Sequence, residues 1–253
     1  MKKSKNDINF RRDKILENLG KNGYRKVEDL AAECGVSLVT VRRDLLYLEK
    51  QNLITRFHGG AQLTSHTPVQ PEEGRDLSMI DRLAEKAVSM VEDGDTIFSN
   101  SGMTTYAVLQ KIHKEIVAVT SNVYAMQLDP PDSPMTLIFT GGEIARERDS
   151  FVGQFSISLI DMVTANKCFL GVNAISADSG LTSSSMQKIA INIRMLERCH
   201  GPKIVVAEGY KIGKTTNFHV CPITKITHLI TDVSADPQEL EKIKRAGVEV
   251  IVI

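Results

Sequence analysis

The stretch from Leu38 to Lys50 (LVTVRRDLLYLEK) constrains this chain more than any other. Leu38, Val41, Leu45 and Leu48 recur at i, i+3, i+7 and i+10. At about 100° per residue, that spacing gathers them into one apolar stripe that has to face a core. Thr40, Arg43 and Tyr47 come out on the opposite side, with Arg42 on the flank, so the same helix offers water a basic, hydrogen-bonding face. Ser37 stands where an N-cap hydroxyl is needed, and Cys34-Gly35-Val36 before it makes a tight turn whose glycine is free to take a positive φ.

Upstream, Val27, Leu30 and Ala31 mark a short helix over Val27 to Glu33, and Ile15, Leu16 and Leu19 mark another over Arg11 to Leu19. Short helices joined through a glycine-containing turn form a helix-turn-helix. The start of its last helix fits the major groove, where Arg43 would grip guanine O6 and N7 with two bonds and Arg42 would meet a phosphate. Leu53 to Ala61 then alternates apolar and polar residues around a glycine pair and reads as a β-ribbon wing. Arg56 and His58 on it would lie beside the duplex backbone, although His58 could equally serve a hydrogen bond inside the ribbon.

Charge separates head from body. Residues 1–61 hold 13 Lys and Arg against 8 Asp and Glu, whereas the remaining residues hold 18 against 23. A basic end on an acidic body fits a nucleic-acid-binding head joined to a domain with other work. Residues 62–78 carry prolines, a glycine and little periodicity, so they read as a linker, leaving 79–253 as a second, larger domain. The chain contains no apolar run near the ~18 residues of a membrane span. Met1 to Arg12 lacks the apolar core of a secretory signal. A cytoplasmic protein without a membrane partner is expected. Cys34, Cys168, Cys199 and Cys221 are widely spaced, and no histidines stand at ligand spacing beside them. The expectation is therefore free, mostly buried thiols, no metal and no cofactor.

The larger domain alternates strand-like and helical runs. Strands are expected at Thr96 to Ser99, Ile116 to Thr120, Thr136 to Thr140, Cys168 to Val172, Lys203 to Ala207, His228 to Thr231 and Val248 to Val252. Helices are expected at Thr104 to Ile112, Val123 to Leu128, Phe151 to Met162, Met186 to Cys199 and Pro237 to Ala246. Such interleaving predicts an α/β, Rossmann-like domain with a mainly parallel sheet covered on both faces. Ligands collect at the carboxyl ends of strands in these folds. Asn100-Ser101-Gly102-Met103-Thr104-Thr105 lies between a strand and a helix, so its amides and threonine hydroxyls would form an anion cradle. Asn122 in Thr120-Ser121-Asn122, Gly141 and Gly142 after the third strand, the turns at Gly171 to Ala174 and Gly180 to Thr182, and Lys211 would complete the pocket. Gly213-Lys214-Thr215 imitates the end of a nucleotide-binding P-loop, but Glu208 stands where the first glycine is needed.

The run Val36-Ser37, Thr40-Val41-Arg42-Arg43-Asp44-Leu45, Leu48-Glu49, Leu53-Ile54, Arg56 and His58-Gly59-Gly60-Ala61 resembles the signature of the DeoR family of bacterial transcription regulators. The resemblance implies a winged helix-turn-helix head and an effector-binding, oligomerising domain related in fold to ribose-5-phosphate isomerases and acyl-CoA-transferase-like proteins. It implies a repressor of sugar or nucleoside catabolism genes, with a double-stranded operator, a phosphorylated sugar or related metabolite as effector, and a homodimer or homotetramer. Where that family usually shows D-x-G-T-T-T and D-x-S-K, this chain keeps Gly102, Thr104, Thr105 and Lys211 but has Asn100, Met103 and Tyr210. The competing expectation is an active sugar-phosphate isomerase or transferase fused to a DNA-binding head. Such an enzyme needs a carboxylate base, and Glu143, Glu147 and Glu208 stand near the loops without forming a marked pair.

Overall fold

The computed structural model describes residues 11–12, 14–16, 18–19, 25–50, 54–57, 60–63, 77–128, 133–145 and 149–253. They belong to two compact units, Met1–Arg75 and Asp76–Ile253.

In the first unit, residues 11, 12, 14–16, 18 and 19 are helical. Helix α1 (Val27–Cys34) and helix α2 (Leu38–Lys50) follow. Three short strands, β1 (Arg25–Lys26), β2 (Ile54–Phe57) and β3 (Gly60–Leu63), pair antiparallel in the order β1-β3-β2. Strand β3 runs past Ala61 into the segment read as a linker. Ile15, Leu19, Leu30, Val41, Leu45, Leu48 and Ile54 bury their side chains together in the core of this unit.

Helix α1 stops at Gly35, whose φ of 62° lets its N–H reach Ala32 O at 3.2 Å while Val36 N–H reaches Ala31 O at 3.1 Å. That left-handed closure favours glycine, and it turns the chain directly into α2. Leu38 departs from the expected stripe, being 39% exposed while Val41, Leu45 and Leu48 are buried. A helical side chain covers the turn N-terminal to its own Cα, and before Leu38 there is only the short Gly35 to Ser37 connection.

The second unit opens with α3 (Leu77–Val88), followed by β4 (Thr96–Ser99), α4 (Met103–Gln110), β5 (Val117–Thr120) and β6 (Thr136–Phe139). After the ribbon β7 (Glu143–Ile144) and β8 (Phe151–Val152) come α5 (Gln154–Asp161), β9 (Lys167–Leu170), β10 (Ala174–Ser176), β11 (Gly180–Ser183) and α6 (Ile189–Glu197). The chain closes with β12 (Lys203–Val206), β13 (Phe218–Cys221), β14 (His228–Thr231), α7 (Pro237–Arg245) and β15 (Glu249–Val252). Seven strands form a parallel sheet in the order β15-β14-β12-β9-β4-β5-β6.

Alternation along each strand divides the core between the two faces. Phe98, Val119, Cys168, Leu170, Val205 and Leu229 pack with Ile160 of α5, Met195 of α6 and Ile243 of α7. Ile97, Ala118, Phe169, Ile204 and Ile230 pack with Leu83 of α3 and Val108 of α4. Cys168, Cys199 and Cys221 are buried and unbridged, and Cys34 in the first unit is also free. Among the described residues, no helix is long and apolar enough to cross a membrane.

Several local expectations are corrected. Phe151 and Val152 form β8, and the helix begins only after Gly153 at φ 88°. The helix expected at Val123 to Leu128 is a five-residue 3-10 turn over Val123–Gln127. The one expected at Met186 to Cys199 is a 3-10 turn at Met186–Lys188 leading into α6. A small antiparallel sheet, β10-β11-β13, occupies Ala174 to Ser176 and Gly180 to Ser183, where only turns were expected.

Candidate functional site

The exposed face of α2 is built by its cap. Thr40 N–H donates to the Ser37 hydroxyl at 3.3 Å, and the Ser37 and Thr40 hydroxyls meet at 2.9 Å. Ser37 therefore caps the helix as its position predicted, and Thr40 commits its hydroxyl to that cap. Arg42 and Arg43 are exposed and pair with no described residue. Tyr47 is 44% exposed, but Arg12 stacks on its ring at 3.5 Å from the centroid. The backbone of Arg56 pairs with that of Ala61 in the ribbon, and His58 lies outside the described residues.

Sequence reasoning missed the anchor of this helix. Asp44 is 2% exposed, and its two oxygens accept from Arg11 Nε at 2.6 Å and Arg12 Nε at 3.0 Å. The acidic member of the Arg42-Arg43-Asp44 run thus faces inward and ties α2 to the helical residues before it. Its only sequence signal was an acidic residue beside the apolar stripe.

In the second unit the chain leaves β4 toward β5 and β6, then returns to place β9 on the other side of β4. The strand order reverses between β4 and β9, and the crevice at the carboxyl ends of these two strands is where ligands enter such sheets. Asn100 follows β4 and spans that crevice. Its Nδ2 donates to Gly171 O at 2.9 Å and Asn192 Oδ1 at 3.1 Å, and its Oδ1 accepts from Gly171 N–H at 2.8 Å.

The threonines behave otherwise than expected. Thr104 Oγ1 donates to Val206 O at 3.1 Å, and Thr105 Oγ1 donates to Asn100 O at 2.8 Å. Both are buried, so their hydroxyls answer backbone carbonyls instead of projecting into a cradle. Asn122 is likewise a brace, donating to Gly102 O at 3.0 Å and accepting from Tyr124 N–H at 3.0 Å. Ser101, Gly102 and Met103 remain partly exposed at the start of α4.

Gly141 and Gly142 lie after β6 with φ values of 64° and 93°. A Cβ on Gly142 would stand 2.7 Å from Val152 O, so this glycine is required by the close approach of two backbones. Lys211 does not join the β4 loop directly; its ammonium lies 2.6 Å from the Glu208 carboxylate, both side chains being about nine-tenths buried. Asp232 supports the same end of the sheet, accepting from Gly209 N–H at 2.6 Å. Burial opposes its ionisation, but hydrogen bonds from Ser234 and Gly209 prevail and hold its carboxyl below the usual range. Asn100, Gly102, Thr105 and Asn122 are therefore brought into one network, to which Gly171 and Asn192 must be added.

Residues 11–67 match the DeoR-like helix-turn-helix domain, and residues 80–233 match the DeoR C terminal sensor domain. The chain belongs to the DeoR family. It is 30% identical over 251 residues to a protein of Escherichia coli O157:H7 named as an aga operon transcriptional repressor, covering 96% of this chain and 93% of that one. The HTH-type transcriptional regulator GlpR of Haloferax volcanii is 31% identical over 253 residues, covering 95% and 96% of the two chains. Among solved structures, ribose 5-phosphate isomerase A of Methanocaldococcus jannaschii overlaps 55% of each chain at 13% identity and a TM-score of 0.40. This DeoR-family chain is thus a DNA-binding transcriptional regulator that couples a helix-turn-helix head to a sensor domain.

Proposed function

We propose that the chain represses genes of carbohydrate catabolism by binding an operator through α2, and that a phosphorylated sugar or related metabolite at the β4–β9 crevice changes that binding. The observation that carries this reading is the division of α2 between buried Val41, Leu45 and Leu48 and exposed Arg42 and Arg43, which pair with nothing among the described residues. Arg43 reads guanine and Arg42 holds phosphate, with Ser37, Thr40, Tyr47, Arg56 and His58 along the same contact. The ligand meets the backbone at Ser101 and Gly102, with Asn100, Thr104, Thr105, Asn122, Gly141 and Gly142 shaping the site and Lys211 supplying charge. In this reading residues 1–61 form the head, 62–78 the connection and 79–253 the sensor, with β3 continuing the head's sheet to Leu63 and α3 starting at Leu77.

A two-fold operator requires two heads about 34 to 36 Å apart or a multiple of that, hence a homodimer or homotetramer working in the cytoplasm, where the DNA is. The chain acts without catalysis. Of the candidate bases, Glu208 is held by Lys211, Glu143 is exposed on β7, and Glu147 lies outside the described residues.

Fluorescence anisotropy of full-length protein on a duplex from beside its own gene, titrated with sugar phosphates, tests the reading. An effector present at about 100 times its Kd should also raise stability by about 2.7 kcal/mol in a thermal melt. A sugar phosphate that is turned over, or a panel that alters neither operator occupancy nor the melt, contradicts it. In the same assay Arg42→Ala should weaken operator and scrambled DNA alike and reduce the salt slope by about one.

A further inference from the structure

Lys188 and Asp149 face each other at the same strand ends, with Nζ to Oδ2 at 2.6 Å and side chains 16% and 22% exposed. Both are one link from the β4 loop. Lys188 lies one helical turn before Asn192, whose side chain accepts from Asn100. The Asp149 carbonyl accepts Val123 N–H at 3.0 Å, beside Asn122, which holds Gly102 O. The second carboxylate oxygen, Asp149 Oδ1, is buried and finds no hydrogen-bond donor among the described residues. Burial, with the Asp149 charge adding to it, pushes the Tyr124 phenol up. The Lys188 and Asp149 pair is also more open to solvent than the Lys211 and Glu208 pair, which is 11% and 8% exposed.

We propose that Lys188 is an anion-binding cation of the sensor site and that Asp149 is its built-in competitor. The carboxylate occupies the ammonium, and a phosphate-bearing ligand binds by displacing it, leaving Asp149 to accept from the ligand's hydroxyl groups. Asp149 lies two residues before β8, whose Phe151 N–H donates to Ser121 O just beyond β5 at 2.8 Å. This deepens the proposed function and rests on its assignment of the strand ends as the effector site.

The test is calorimetric titration of inorganic phosphate into the full-length wild type and the variants Asp149→Asn, Lys188→Met, Lys188→Arg and Lys211→Met, each first checked for a native melt. Asp149→Asn keeps the shape and removes the competing charge, so it should bind phosphate about tenfold more tightly than the wild type. Lys188→Met should bind none, and Lys188→Arg should recover binding. If Asp149→Asn binds no tighter than the wild type, or Lys188→Met binds equally well, the proposal is overturned. Loss of binding in Lys211→Met with full binding in Lys188→Met would remove Lys188 while leaving a strand-end site. Phosphate binding through Lys188 with no effect of sugar phosphates on operator occupancy would support the exchange and defeat the broader function.

Discussion

Replacing Asp44 by alanine is expected to destabilise the head by about 3 to 5 kcal/mol, the usual consequence of removing one partner from a buried ion pair. The reason is the pairing of a 2% exposed carboxylate with two arginines, Arg11 and Arg12, whose side chains are only 10% and 18% exposed. Without Asp44, Arg11 is left buried and uncompensated, and Arg12 loses the contact that seats it over Tyr47. The effect should appear as lost hydrogen-exchange protection across the amides of α2, with the sensor domain's protection unchanged. Arg42→Ala, a surface change on the same helix, should stay within about 0.5 kcal/mol. Equal protection in Asp44→Ala and wild type would mean that the ion pair does not hold the helix.

Asn100→Asp should also be costly, even though it installs the residue that the resemblance to the family places there. The Asn100 amide donates to Gly171 O and Asn192 Oδ1, so a carboxylate would face two acceptors in a site 2% exposed. Asn192 can turn its amide to donate, whereas the Gly171 carbonyl is fixed at the end of β9. The expected loss is about 1 to 3 kcal/mol at neutral pH, the cost of an unsatisfied buried polar group. The new carboxyl is held above its unfolded pKa of about 3.9, so its proton binds the folded state more tightly. The variant's deficit should therefore shrink as pH falls toward the unfolded value and grow as pH rises through the folded one. Paired melts of variant and wild type at pH 5 and pH 8 check the sign. A deficit that widens on acidification would show that Asn100 does not donate across the crevice.

These two cases mark the limits of what the sequence revealed. The α2 stripe, its Ser37 cap and the Gly35 turn were legible because each depends on neighbours within a few positions. The parallel sheet was legible because buried strands read as short apolar runs between helices. Asn100 bonds residues 71 and 92 positions away, and Asp44 bonds residues 32 and 33 positions back. No local periodicity records such partners. The threonine hydroxyls were misdirected for a related reason, since spacing locates Thr104 and Thr105 on α4 but cannot say that Val206 O and Asn100 O lie within reach. The β10-β11-β13 sheet was missed because Ala174–Ser176 and Gly180–Ser183 mix glycine, serine and threonine with few apolar residues and so read as turns, and their pairing is irregular between Leu181 and Thr182.

Selection of bound sequences from a randomised duplex pool, run in parallel with wild type and Arg43→Ala, tests most directly whether the outer face of α2 reads DNA. The wild type should enrich a two-fold motif carrying a guanine in each half-site. Arg43→Ala should keep the rest of the motif and lose preference at that guanine, by about 1 to 3 kcal/mol. Identical motifs from both proteins, or no enrichment by the wild type, would contradict the assignment of α2 as the reading helix.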